Sequence, residues 1–190
     1  MKYPIIAYGD PVLRRKATAI EPDEYPNIQQ VIADMYETMY GAHGVGLAAP
    51  QVGLSMRLFV IDASVFADTE PDLKDFKKTF INATVLEETG EEWAFNEGCL
   101  SIPDIREDVY RKPVVKLSYY DENWKHHEET FNGLAARVIQ HEYDHIEGKL
   151  FTDKLSPIRK RLIEKRLGNI SKGEVDVEYR MKFPAAKKGR

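Results

Sequence analysis

The chain has a single cysteine, Cys99, among 190 residues. An intrachain disulfide is therefore excluded, which leaves that sulfur as an inert core thiol, a reactive thiol or a metal ligand. No stretch approaches the roughly 18 consecutive apolar residues that cross a membrane. No signal peptide is expected, because Pro4 and Asp10 interrupt the short apolar run at the start. One cysteine without an export signal places the expected compartment in the reducing cytoplasm, with no membrane partner. Internal repeats are missing. With 43% hydrophobic residues the chain can bury one sizeable core, so one main domain is expected.

What is present begins with His141-Glu142-Tyr143-Asp144-His145, an H-E-x-x-H pattern in a segment of helical periodicity. Each residue of an α-helix turns about 100°, so histidines four apart share one face. Two neutral imidazoles there can grip one divalent ion, with Glu142 beside them as a candidate general base. Leu134, Val138, His141 and His145 fall on a single stripe that carries both histidines inward. Asn132 as N-cap and Gly148 as stop predict a helix over Gly133–Glu147. Two ligands do not make a catalytic site, which needs a third protein ligand and an open position. Cys99, in Glu97-Gly98-Cys99-Leu100-Ser101, is one candidate. Glu147, Glu164, Glu174 and Glu178 lie downstream as others.

A third motif, Gly44-Val45-Gly46-Leu47-Ala48-Ala49-Pro50-Gln51, contains G-x-G-x-x-A. A dinucleotide-binding turn would need a strand before it. The preceding segment instead carries a helical stripe, Ile28, Val31, Ile32, Met35 and Met39, that ends near Gly41. The Rossmann reading fails on that context.

Taken together, Gly44–Gln51, Glu97–Ser101 and His141–His145 make the chain resemble the bacterial-type peptide deformylases. They match that family's G-x-G-x-A-A-x-Q, E-G-C-L-S and H-E-x-D-H, in the family's order, and the likeness covers residues 4 to about 160. The resemblance implies an α+β fold with antiparallel sheets packed around the helix that bears the metal motif. It implies removal of the formyl group from the N-terminal formyl-methionine of newly made polypeptides, releasing formate. The implied ligands are Cys99, His141 and His145, with iron(II) as the metal in the cell and zinc or another divalent ion as a substitute. Glu142 would be the base. Gln51 and the backbone N–H of Leu100 would stabilise the oxyanion. Val45, Leu134 and Val138 would line the methionine pocket, Gly46 would offer backbone hydrogen bonds, and Arg106 would contact the peptide further along. Glu97 and Asp144 would orient ligands or loops. Two other readings compete: an ordinary H-E-x-x-H peptidase with a downstream Glu ligand, and a binding module with a structural metal.

Strands are expected at Arg57–Asp62, Thr79–Ala83, Val85–Thr89, Trp93–Asn96, Val114–Tyr120 and Lys125–Phe131. Pro103-Asp104 reads as a turn, Asp121-Glu122-Asn123 as a hairpin turn, and Ser64–Lys78 as a surface insertion. His126 and His127 lie on opposite faces of one strand and cannot share a metal; His43 falls in a loop near the site. Charge is uneven: residues 157–190 carry a net of +7 and the rest −11, out of −4 overall. Ile158–Leu167 reads as a short basic amphipathic helix stopping at Gly168-Asn169, which closes a catalytic domain at residues 1–167. Residues 168–190 form an extension, with a short strand over Glu174–Arg180 and a disordered end at Lys187–Arg190. The basic region, with Arg159, Lys160, Arg161, Lys165 and Arg166, is either a solvated face or a ribosome contact.

Overall fold

A computed structural model describes residues 2–184. Its elements in chain order are β1 (Ile5–Ile6), α1 (Ile28–Gly41), β2 (Gly46–Ala48), β3 (Leu58–Asp62), β4 (Lys77–Thr89), β5 (Trp93–Cys99), β6 (Ile102–Arg111), β7 (Val114–Tyr120), β8 (His126–Asn132), α2 (Gly133–Ile146), α3 (Pro157–Ser171) and β9 (Met181–Lys182). Strands β2, β3, β4, β7 and β8 form an antiparallel sheet in the order β2-β3-β4-β7-β8. A hairpin of β5 and β6 and a parallel pair of β1 and β9 complete the strands. The architecture is α+β. Among the described residues no helix is long and apolar enough to cross a membrane.

Strand β3 shows how the core is divided. Successive side chains of a strand point to opposite faces. Leu58 and Val60 accordingly join α1 residues Ile28, Ile32, Met35 and Met39, while Phe59 and Ile61 join α2 residues Ala135, Ala136 and Ile139. The five-stranded sheet is thus held between the two helices. On the α2 side Phe59 stacks on Phe80 with centroids 4.7 Å apart, and Phe80 meets Phe131 edge-on at 5.9 Å. Fully burying a ring of that size contributes about 1.5–3 kcal/mol. A third apolar cluster joins β6 (Ile102, Ile105, Val109) to α3 (Ile163, Leu167, Ile170).

Several expectations need correction. Thr79–Ala83 and Val85–Thr89 belong to one strand, β4. The apparent gap is a bulge between Ile81 and Thr84, where Asn82 sits at φ 52° and its amide bonds both N and O of Ile20. Pro103-Asp104 is not a turn but part of β6, whose residues alternate between buried and exposed; the reversal is Leu100-Ser101. Helix α3 passes through Gly168-Asn169 to Ser171, because Leu167 and Ile170 bury against β6 and reward the extra turn. The boundary expected at residue 167 therefore falls inside a helix. Ile158 and Leu162 of that helix point to solvent, 74% and 64% exposed. Glu174–Arg180 forms no strand; Met181–Lys182 does, pairing with Ile5–Ile6. Within 64–78, Leu73 is buried in the sheet core and Lys77-Lys78 begin β4, so the segment is not wholly an insertion. Lys187–Arg190 lies outside the described residues.

The hairpin of β7 and β8 turns as expected. The Asp121 carboxylate accepts backbone N–H bonds from Asn123 (2.9 Å) and Lys125 (3.0 Å), an Asx turn. Asn132 precedes α2 in an extended conformation but its side chain makes no cap bond. At the other end Gly148 takes φ 71°, and a Cβ there would lie 2.7 Å from the Arg14 carbonyl oxygen. Only glycine fits that stop.

Candidate active site

Helix α2 is buried on nearly every side, so its polar residues need partners within the protein. Those facing away from the sheet meet the β5–β6 hairpin. Glu97 at the end of β5 accepts from Arg111 twice (Nε 2.6 Å, Nη2 3.0 Å), from Arg137 Nη1 (3.0 Å), and contacts His141 Nδ1 at 2.9 Å. Arg111 Nη1 also donates to Asp144 at 2.7 Å. Two buried carboxylates and two buried guanidiniums thus balance in charge. Burial opposes ionisation of Glu97, but the bonds from His141 and Arg111 prevail and hold its carboxyl well below the usual range. The network fixes His141 with Nδ1 engaged and Nε2 turned toward Cys99.

Cys99, His141 and His145 converge. Their donor atoms all lie within 4.8 Å of one another, and Cys99 Sγ is 3.4 Å from His145 Nε2. Ligands about 2.0–2.3 Å from one tetrahedral ion stand roughly 3.3–3.8 Å apart, so one sulfur and two imidazoles in this arrangement fit a divalent metal. Burial, then the positive charges of His141 and Arg111, lower the His145 pKa well below its ordinary value, leaving the neutral ring that ligation requires. For His141 burial acts the same way, but contacts with Cys99 and Glu97 outweigh it and raise the pKa well above the ordinary value. Glu147, one alternative ligand, is committed to Arg57 (2.7 Å) and Lys16 (3.1 Å).

Glu142 is 4% exposed, and its Oε2 has no hydrogen-bond partner among the described residues. Burial pushes its carboxyl up to about 7, with His141 pulling the other way. It packs on Gly46, where a Cβ would come within 2.5 Å of Glu142 Oε1; a side chain at position 46 would displace the carboxylate. Gln51 stands across the site in a turn of 3-10 helix. Its Oε1 accepts from Ala48 N (2.9 Å), which aims Nε2 at Cys99 Sγ (3.4 Å) and Ser101 Oγ (3.3 Å).

These groups open onto a cleft of about 730 Å³, lined also by His43, Val45, Leu100, Arg106, Val138 and Glu178. Arg106 is held by Asn96 through Nε at 2.9 Å. Leu134 is not among the lining residues; it packs against the sheet core one turn of α2 before Val138. Arg137 occupies the lining there instead. Arg111, Arg137 and Tyr179 were not singled out from the sequence. The first two carried a signal. Arg137 is four residues before His141 on the same helical face, and Arg111 shares the buried parity of Ile105 and Val109 on β6.

The family model for polypeptide deformylase matches residues 2–161. The chain belongs to the polypeptide deformylase family. It is 64% identical to the peptide deformylase of Flavobacterium johnsoniae and 61% to that of Christiangramia forsetii, over the whole of both chains in each case. Among solved structures, the Legionella pneumophila peptide deformylase superposes with a TM-score of 0.79 at 37% identity, covering 92% of this chain and 98% of that one. The Thermus thermophilus enzyme gives 0.79 at 39% identity, covering 91% and 99%. As a deformylase the protein is a metal-dependent hydrolase that removes the N-formyl group from nascent peptides.

Proposed function

We propose that Cys99, His141 and His145 hold the metal and that Glu142 is the proton-transfer residue of deformylation. The convergence of those three donors beside a buried carboxylate, whose Oε2 has no hydrogen-bond partner among the described residues, carries the reading. A divalent ion held there would polarise the formyl carbonyl and make a neighbouring water more acidic. Glu142 takes the proton of the attacking water and returns it to the departing amine. Gln51 Nε2 and the Leu100 N–H donate to the oxygen on which charge builds; a donor of that kind is typically worth ~3 kcal/mol. Val45 and Val138 bound the apolar part of the cleft that takes the methionine side chain. Strand β2 lies at the edge of its sheet, so Gly46 offers backbone groups to an extended peptide. Arg106 meets the chain further along.

The metal in the cell is iron(II), with zinc able to replace it. A thiolate with two imidazoles suits both, and zinc binds more tightly on intrinsic affinity. Anaerobic purification with elemental analysis decides the point; an enzyme equally active with zinc and indifferent to oxygen counts against iron. The whole reading is tested by measuring formate release from a formyl-Met peptide against its unformylated counterpart, with bound metal measured on the same sample. Cys99→Ala should lose most of the metal, and a variant with full metal and full activity removes Cys99 from the ligand set.

We further propose that the basic face of α3 contacts the ribosome. Arg159 is tied to Glu107 (2.8 Å) and Arg166 to the Asp104 carbonyl, while Lys160, Arg161 and Lys165 are exposed. Neutralising those last three should weaken ribosome binding, and binding should fall steeply with salt because releasing counterions into a saltier solution gains less entropy. Salt-insensitive binding, or none, leaves α3 a solvated face.

A further inference from the structure

The family match stops at residue 161, yet the chain returns to the cleft beyond it: Asp176, Val177, Glu178 and Tyr179 all contribute to its lining. This strap is anchored just after Tyr179. Ile5 N donates to the Arg180 carbonyl (2.8 Å) and Ala7 N to that of Lys182 (2.9 Å), and β9 runs parallel to β1. Met181 and Phe183 pack against the cluster of β6 and α3. So seated, the strap presents the hydroxyl of Tyr179, which donates to the Leu100 carbonyl at 2.8 Å.

Leu100 lies in the reversal between β5 and β6, where the register also shifts between Gly98 and Cys99. A short reversal beside a bulge has few ladder bonds of its own to fix it. Its restraints come from outside the hairpin. Tyr8 N donates to the Ser101 carbonyl (2.9 Å), Gln51 Nε2 to Ser101 Oγ (3.3 Å), and Tyr179 Oη to Leu100. Among the described residues only the last restrains the Leu100 carbonyl. That carbonyl lies in the Leu100–Ser101 peptide plane, one residue's φ and ψ away from the Cys99–Leu100 plane that carries the donor N–H, so holding it narrows the range that the N–H can sweep.

We propose that Tyr179 is a positioning residue for deformylation: its hydroxyl restrains the Leu100–Ser101 peptide unit adjoining the one that carries the donor N–H, so the strap beyond the family model's matched span completes the active site. This rests on the reading of Leu100 N–H as an oxyanion donor.

The test uses the full chain with formyl-Met-Ala-Ser as probe, and compares Tyr179→Phe with Tyr179→Ala. The Phe variant keeps the ring and loses only the hydroxyl. Its kcat should fall about three- to tenfold, the equivalent of one ordinary hydrogen bond, with KM and metal content unchanged and the melting temperature lowered by no more than about 1–6 °C. The Ala variant should add a raised KM and a lower melting temperature, because a wall of the cleft goes with the ring. Wild-type kcat in Tyr179→Phe overturns the proposal, as does a rise in KM alone. A fall in kcat proportional to lost metal also overturns it, since the effect would then run through metal retention. If the wild-type chain releases no formate, the functional reading fails and takes this proposal with it; an active wild type with an unaffected Phe variant sinks this proposal alone.

Discussion

At the scale of single residues, the two buried carboxylates beside the candidate metal centre differ in how they are held. Glu142 is buried with no hydrogen-bond partner for Oε2 among the described residues, whereas Glu97 is buried with four hydrogen-bonding contacts. Glu142→Gln keeps the shape against Gly46 but cannot accept a proton. Metal should stay bound while turnover falls about 10²–10⁴-fold, the usual contribution of a placed acid–base. Elemental analysis beside formate release checks this, and joint loss of metal and activity would make Glu142 structural. Gln51 is more entangled, because Oε1 caps Ala48 N while Nε2 faces Cys99 and Ser101. Gln51→Leu should lower kcat about 10²-fold through the lost donor. It should also cost about 1–3 kcal/mol of stability through the orphaned Ala48 N–H. Steady-state kinetics and urea unfolding separate the two effects; a change in KM alone would remove Gln51 from the oxyanion role.

At the scale of elements, Arg111 is the pin between the β5–β6 hairpin and α2, since one guanidinium reaches Glu97 and Asp144 together. Arg111→Met should cost about 3–5 kcal/mol, because Asp144 and Glu97 keep their charge in a dry interior after losing a partner. Urea unfolding reads this directly, and a loss under about 1 kcal/mol would mean that the pair only offsets its own desolvation. Only the acidic half of this pin, Glu97 and Asp144, was anticipated, through the resemblance; Arg111 carried a parity signal that was not read, whereas α2 itself was legible. Periodicity and a terminal glycine delimit α2 in the sequence to within a residue of its observed end. By contrast β6 was hidden by Pro103-Asp104, a turn-prone pair that the sheet absorbs with Asp104 at φ 63°. The extra turn of α3 was hidden by Gly168-Asn169, a local stop that packing of Ile170 overrides. His141 and His145 stood out because metal chemistry restricts residue type and spacing together, whereas Cys99 was one of several candidates until the resemblance pointed to it; the structure brings the three side chains together. Tyr179 was not legible, because nothing local in Glu174–Arg180 reveals that β9 will dock beside β1.

At the scale of the whole molecule, the donor set joins parts that the chain keeps apart. Cys99 ends β5, while His141 and His145 ride on α2, so an ion bound by all three ties the hairpin to the central helix. That ion binds the folded chain and not the unfolded one, and its binding energy therefore adds to folding stability. With free metal 1,000-fold above its Kd the gain is about 4 kcal/mol. For a chain of this size each kcal/mol moves the melting temperature by about 2–4 °C, so chelation should lower it by roughly 8–16 °C. Returning metal should restore the original value. Cys99→Ala should start near the chelated value and respond little to metal, because two imidazoles alone hold the ion weakly. The Arg111 network supplies a control. Arg111→Met should lower the melting temperature of both the metal-bound and the stripped protein, keeping the metal-dependent increment if the histidines stay in place through Glu97 and Arg137. Differential scanning calorimetry across these three proteins, with and without chelator, measures every term. A melting temperature indifferent to chelation in the unsubstituted chain would show that no ion bridges β5 and α2, whatever the activity assay reports.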